Sequence, residues 1–67
     1  MHPNIIHSAA KNRLEGGQER VGQAYFNAAH DLRPEWASWH RVTAIDPFYN
    51  DKVLPDFLAQ WHHDHPV

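Results

Sequence analysis

The densest run of metal-competent side chains lies near the end of the chain, at His62, His63, Asp64 and His65. Neutral imidazoles with a carboxylate suit borderline cations such as Zn, Ni or Cu. A helix running through this segment puts His62 and His65 on one face at i, i+3, with Gln60 or Asp64 to assist. A closed structural zinc site needs four ligands in fixed geometry, which a fraying chain end does not supply. Residues 62–67, like 1–4, are therefore expected to be flexible. His62, His63 and His65 are expected to pick up metal only weakly, and no cofactor is expected. His7, His30 and His40 join such a site only if the fold brings them near.

The second constellation is aromatic. The chain has 67 residues and carries three Trp, three Phe and two Tyr. A domain of this size buries only about 60% of the surface its unfolded chain exposes. Hiding eight large rings is therefore hard, and leftover aromatics mark interfaces, where Trp, Tyr and Arg dominate the binding energy. Trp36, Trp39, Phe48, Tyr49 and Trp61 are the candidate partner-binding residues. Phe48 and Tyr49, on a short turn, should be the most exposed pair. The competing expectation is core, with Trp36 and Trp39 at i, i+3 packing on Phe57 and Trp61.

Catalytic chemistry finds little support. There is no Cys, and Ser8 and Ser38 lie in no nucleophile-elbow context. Gly16-Gly17 is not a phosphate-binding loop. Asp46, Asn50 and Asp51 lack the spacing of a calcium loop and read as caps and turn formers. His40 with Glu35 or Asp46 can be drawn as an acid–base pair, but four short helices do not readily enclose an enzyme-sized pocket. A non-enzyme is expected.

Charge narrows the partners. Residues 1–34 carry Lys11, Arg13, Arg20 and Arg33 against Glu15, Glu19 and Asp31, a net +1. Residues 35–67 carry Arg41 and Lys52 against Glu35, Asp46, Asp51, Asp56 and Asp64, a net −3. This is not the basic footprint of a nucleic-acid binder, although Lys11, Arg13 and Arg20 could form a small patch. An acidic second half favours a basic partner surface. No basic-then-apolar leader and no run of about 20 apolar residues is present, so a cytoplasmic protein without a membrane partner is expected.

The elements that must position these residues are helical. Ile5, Ile6, Ala9, Ala10 and Leu14 follow helical spacing, with Asn4 as N-cap and Gly16-Gly17 as the stop. Val21, Tyr25, Ala28 and Leu32 mark the apolar stripe of a second helix over 18–32, widened by Phe26 and Ala29. Arg33-Pro34 ends it, and Pro34 opens a third helix of two to three turns. Asp46-Pro47 predicts a single helical turn containing Phe48 and Tyr49, and Asn50-Asp51 a reversal. A last helix starts near Val53 or Leu54, with Leu54, Phe57, Leu58 and Trp61 on its apolar face. The fold class is all-α, a compact array of three to four short helices in one domain. Leu14, Val21, Tyr25, Ala28, Leu32, Trp36, Trp39, Ile45, Phe48, Leu54, Phe57, Leu58 and Trp61 are its expected core. With no disulfide available, stability must come from packing, a metal or a partner.

Gly22-Gln23-x-x-Phe26-Asn27-Ala28, Arg33-Pro34, Thr43-x-x-Asp46-Pro47-Phe48-Tyr49 and Leu54-x-x-Phe57 follow one another in an order that resembles a group of short uncharacterised phage and prophage proteins. The resemblance covers about Gly22 to Trp61, with Asp46-Pro47-Phe48-Tyr49 its most specific block. Val42 departs from it, because the pattern leads one to expect Gly before Thr43. The resemblance implies a small accessory protein of viral origin and carries over no site residue. Together with the aromatic excess, it leads to the expectation of a non-enzymatic protein that binds and modulates a host protein. The alternatives are a DNA-binding regulatory helical protein and a metal-stabilised His-rich module. A homodimer is compatible with each.

Overall fold

The computed structural model describes residues 2–67, and in them the fold is all-α. Four α-helices run as α1 Ile5–Glu15, α2 Val21–Leu32, α3 Pro34–His40 and α4 Leu54–Asp64, with a 3-10 turn at Asp51–Val53 preceding α4. α2 packs against α1 and α3, and the 3-10 turn touches α2 and α4.

Local chemistry sets most boundaries. Gly17 takes a left-handed φ of 75° just past α1, which its missing Cβ allows without penalty. Pro34 opens α3, where its absent N–H removes a donor that has no intrahelical partner in any case. α2 starts at Val21 rather than Gln18, and Arg20, its N-cap, offers no side-chain acceptor. The acceptor comes from a distance, as Gly22 N donates to Asp51 Oδ1 at 2.9 Å. This places a carboxylate at the positive end of the helix dipole. Asn4 likewise does not cap with its side chain; its own N–H instead donates to His2 Nδ1 at 3.1 Å.

The core consists of Ile6, Ala10, Ala24, Phe26, Ala28, Ala29, Ala37, Phe57 and Trp61. Ala28, Phe57 and Trp61 are core as expected, and Phe26 and Ala29 of the α2 stripe join them. Two expected core residues are corrected: Val21 is 38% exposed and Trp39 80%, while Gly22 and Ala24 are buried instead. The inward face of α2 is mostly small-sided, and small side chains let neighbouring backbones approach closely. Leu14, Tyr25, Leu32, Trp36, Phe48, Leu54 and Leu58 pack around the core half-buried.

Two further expectations change. The single helical turn expected around Phe48 and Tyr49 is not helical: Asp46 Oδ1 accepts from Phe48 N at 2.9 Å, as a cap does, and one i, i+3 bond from Asn50 N to the Pro47 carbonyl at 3.3 Å closes the turn. Of the ends expected to be flexible, 1–4 and 62–67, Met1 lies outside the described residues, and parts of the rest make defined contacts. Pro3 is buried, and its carbonyl accepts from Trp61 Nε1 at 2.8 Å. α4 continues through His62 and His63 to Asp64.

Gly22 is the tightest point of the fold. A Cβ there would lie 2.2 Å from the Pro47 carbonyl oxygen and 2.6 Å from Asp51 Oδ1. Gly→Ala inside a helix ordinarily stabilises by about 1 kcal/mol. Here Gly22→Ala should destabilise by about 2–4 kcal/mol, through backbone displacement and loss of the Asp51 bond. Urea unfolding of the two proteins measures the sign directly.

Candidate functional site

A cleft of about 290 Å³ lies between α2 and the 41–49 loop. Phe26, Phe48, Val42 and Tyr49 form its apolar lining. Asn27, His30, Arg41 and Asp46 form its polar lining. The aromatic wall is built in steps. Phe26 meets Phe57 at 6.0 Å between ring centroids and Phe48 edge-on at 5.9 Å. Phe48 in turn meets Tyr49 at 4.7 Å. The wall runs from the core outward and ends at Tyr49, 83% exposed.

The loop is pinned by its own polar groups. Asp46 Oδ2 accepts from Val42 N at 2.7 Å, and its other oxygen holds Phe48 N. Thr43 N donates to the His40 carbonyl at 3.3 Å. Arg41 has φ −63° and ψ 131°, and Val42 has φ 60°. This is the pattern of a type II turn over His40–Thr43, whose third position requires positive φ and favours Gly or Asn. A β-branched residue there is a steric outlier. The side chain of Val42 is 85% exposed, so burial in this fold does not offset the strain.

The expected partner-binding set divides. Trp39 and Tyr49 are exposed, and Phe48 is half-buried against the cleft. Trp61 is corrected to core, fully buried and hydrogen-bonded to Pro3. Trp36 is half-buried, edge-on to Trp61 at 5.0 Å and to Phe57 at 5.2 Å. Its indole Nε1 donates to Asp64 Oδ2 at 2.8 Å. The face of α3 that turns inward pairs Trp36 with His40 at 4.4 Å, an i, i+4 relation, and leaves Trp39 outside.

The His-rich segment does not assemble into a metal site. His62 stacks on His7 at 5.9 Å, and His63 Nδ1 donates to Asp64 Oδ1 at 3.2 Å. His65 Nδ1 donates to the Trp61 carbonyl at 2.8 Å. The three imidazoles thus serve three separate neighbours. Among the described residues no group of three or more His, Cys, Asp or Glu is placed to hold a metal ion.

Charges expected to face partners are largely used inside the molecule. Arg13 binds Glu19 and Asp31, bridging α1 to the α2 region. Arg20 donates to the Phe48 carbonyl and lies 3.8 Å from Asp51. Of the basic patch over Lys11, Arg13 and Arg20, this leaves Lys11. On the acidic side, Asp46, Asp51 and Asp64 all accept hydrogen bonds from within the chain. Three of the five carboxylates of the acidic second half thus serve as internal connectors, while Glu35 and Asp56 are exposed.

Asn27, His30, Arg41 and Val42 were not among the sequence candidates for binding. Phe48 and Tyr49, which were candidates, share the lining with them. No family model matches the chain, and neither does any curated protein or solved structure. No helix among the described residues is long and apolar enough to cross a membrane.

Two outcomes follow from this geometry. Val42→Asn, which suits the left-handed position, should raise stability by about 1 kcal/mol, read from chemical denaturation. The hydrogen bond from Trp36, followed by those from Gln60 and His63, lowers the Asp64 pKa from 3.8 to about 2. The folded state thus holds a deprotonated Asp64 more tightly than the unfolded chain does. Its contribution is complete above about pH 5 and is lost as pH falls toward 2. Asp64 is 31% exposed, so solvent screens the effect. Asp64→Asn should flatten the stability–pH curve between pH 5 and 2, as measured by urea midpoints against wild type.

Proposed function

We propose that this chain is a small non-enzymatic accessory protein, of the phage or prophage type its motif resembles, that acts by binding a host protein in the cytoplasm. The carrying observation is the exposure of Trp39 at 80%, Tyr49 at 83% and Val42 at 85% beside a core that closes without them. Ring-bearing side chains held on a pinned loop and a short helix lose little entropy on binding. Such residues dominate protein interfaces.

The placement of charge supports a protein partner over nucleic acid. Backbone binding needs several cations free on one face, and Arg13 and Arg20 are committed to intramolecular contacts. The Asp46-Pro47-Phe48-Tyr49 block has a structural role that also serves binding. Asp46 shapes the loop, Pro47 meets α2 at Gly22, Phe48 anchors to Phe26, and Tyr49 is left presented.

The test is capture of a stoichiometric protein from nuclease-treated bacterial host lysate by the tagged full chain, compared with Trp39→Ala and Tyr49→Ala. Both side chains are exposed, so circular dichroism and thermal midpoint should stay close to wild type. Binding should weaken at least tenfold in one or both variants. Retention of full binding in the double variant would overturn the reading, as would loss of the captured protein on nuclease treatment alone.

A further inference from the structure

We propose that the cleft between α2 and the 41–49 loop receives an acidic peptide segment of the partner protein. One aromatic or large aliphatic side chain rests on Phe26, Phe48 and Tyr49, and a neighbouring carboxylate meets Arg41. This rests on the protein-binding reading and specifies the chemistry of the partner.

Size is the first argument. A cleft of about 290 Å³ lies at the low end of ligand sites, which run from about 300 to 1,000 Å³. It suits one large side chain rather than a cofactor.

Charge is the second. Asp46 is the single carboxylate in the lining, and each of its oxygens accepts a backbone N–H, from Val42 and Phe48, which holds its charge toward the loop backbone. Asn27 Nδ2 is engaged with Glu19 at 2.9 Å. The Arg41 guanidinium takes part in none of the ion pairs found among the described residues. A guanidinium outside those ion pairs, in a lining it shares with Phe26, Phe48 and Tyr49, matches a carboxylate next to an apolar group and disfavours Lys or Arg beside it.

Strain is the third. Val42 holds φ 60° with its side chain in water. Backbone strain of this kind persists where a site uses it, and an apolar segment seated in the cleft covers this methyl pair. Trp39 lies two positions before Arg41 and outside the cleft lining. A ligand confined to the cleft leaves it bare, whereas a polypeptide continuing past Arg41 can cover it.

The experiment is a titration of the full chain, followed by amide NMR shifts, with three capped peptides: acetyl-Glu-Phe-Glu-amide, acetyl-Gln-Phe-Gln-amide and acetyl-Lys-Phe-Lys-amide. The expected order of affinity is Glu over Gln over Lys, with shifts centred on Asn27, Val42 and Tyr49. Added salt should compress the order. Arg41→Gln should weaken the Glu peptide about two- to fivefold, the range an exposed ion pair gives, and erase the order. Val42→Asn keeps the turn and should weaken all three while raising the melting temperature.

Equal affinities for the three peptides, shifts away from the cleft, or an order that survives Arg41→Gln would each sink the proposal. Acetyl-phenylalanine binding as tightly as the Glu peptide would overturn it in favour of a small aromatic acid. These failures are separable from failure of the broader reading, which turns on capture by Trp39 and Tyr49 rather than on peptide charge.

Discussion

The first turn of α2 has no acceptor of its own, and the chain supplies one from 29 residues away, at Asp51. That bond forms only because Gly22 lets the Pro47 carbonyl approach to a distance no side chain permits. An uncapped helix start is unstable in isolation, so α2 and the 46–51 loop complete each other. Arg20 reinforces the same joint through Phe48 and Asp51. The cleft, the aromatic wall and the approach to α4 all depend on where this joint holds the loop.

The rest of the molecule follows an economy imposed by size. Its extents are 30 × 25 × 19 Å, which leaves room for few large rings inside. The interior is assembled from alanines around Phe26, Phe57 and Trp61. Trp61 is the one indole fully buried, and its N–H must find an acceptor there. The Pro3 carbonyl provides it and so ties the start of the chain to α4. Trp36 solves the same problem at the edge of the core with Asp64. Trp39 has no such partner and stays in water.

Charged side chains mostly serve as internal connectors. Arg13 joins segments on either side of the Gly16-Gly17 turn. Asp46 organises a loop whose shape forces a β-branched residue into a left-handed conformation. A fold that settles so many of its charges internally, yet tolerates strain and exposed apolar surface around one cleft, concentrates its unresolved chemistry there. That contrast is the physical basis of the proposal that recognition takes place at the 41–49 loop.

The all-α class, the stop at Gly16-Gly17, the Pro34 start of α3 and the start of α4 at Leu54 were legible in the sequence, because each follows from local rules about backbone conformation and spacing. The exposure of Tyr49 followed from aromatic count, chain length and its place on a short turn. The inward face of α2 was legible in part: Phe26, Ala28 and Ala29 are buried as their spacing implied, with Tyr25 and Leu32 packed beside them. Gly22 and Ala24 were missed in favour of Val21, because close backbone approach rewards the absence of bulk. The burial of Trp61 was expected from its place on the apolar face of α4, but its hydrogen bond to the Pro3 carbonyl and the stacking of His62 on His7 were hidden, since both depend on partners distant in sequence. The sequence alone determined the helices and the surplus of aromatic side chains. Only the tertiary structure decided which of those rings became core and which became surface, because that choice turns on packing against the small-sided face of α2 and on bonds between residues far apart in sequence, such as that from Trp61 Nε1 to the Pro3 carbonyl.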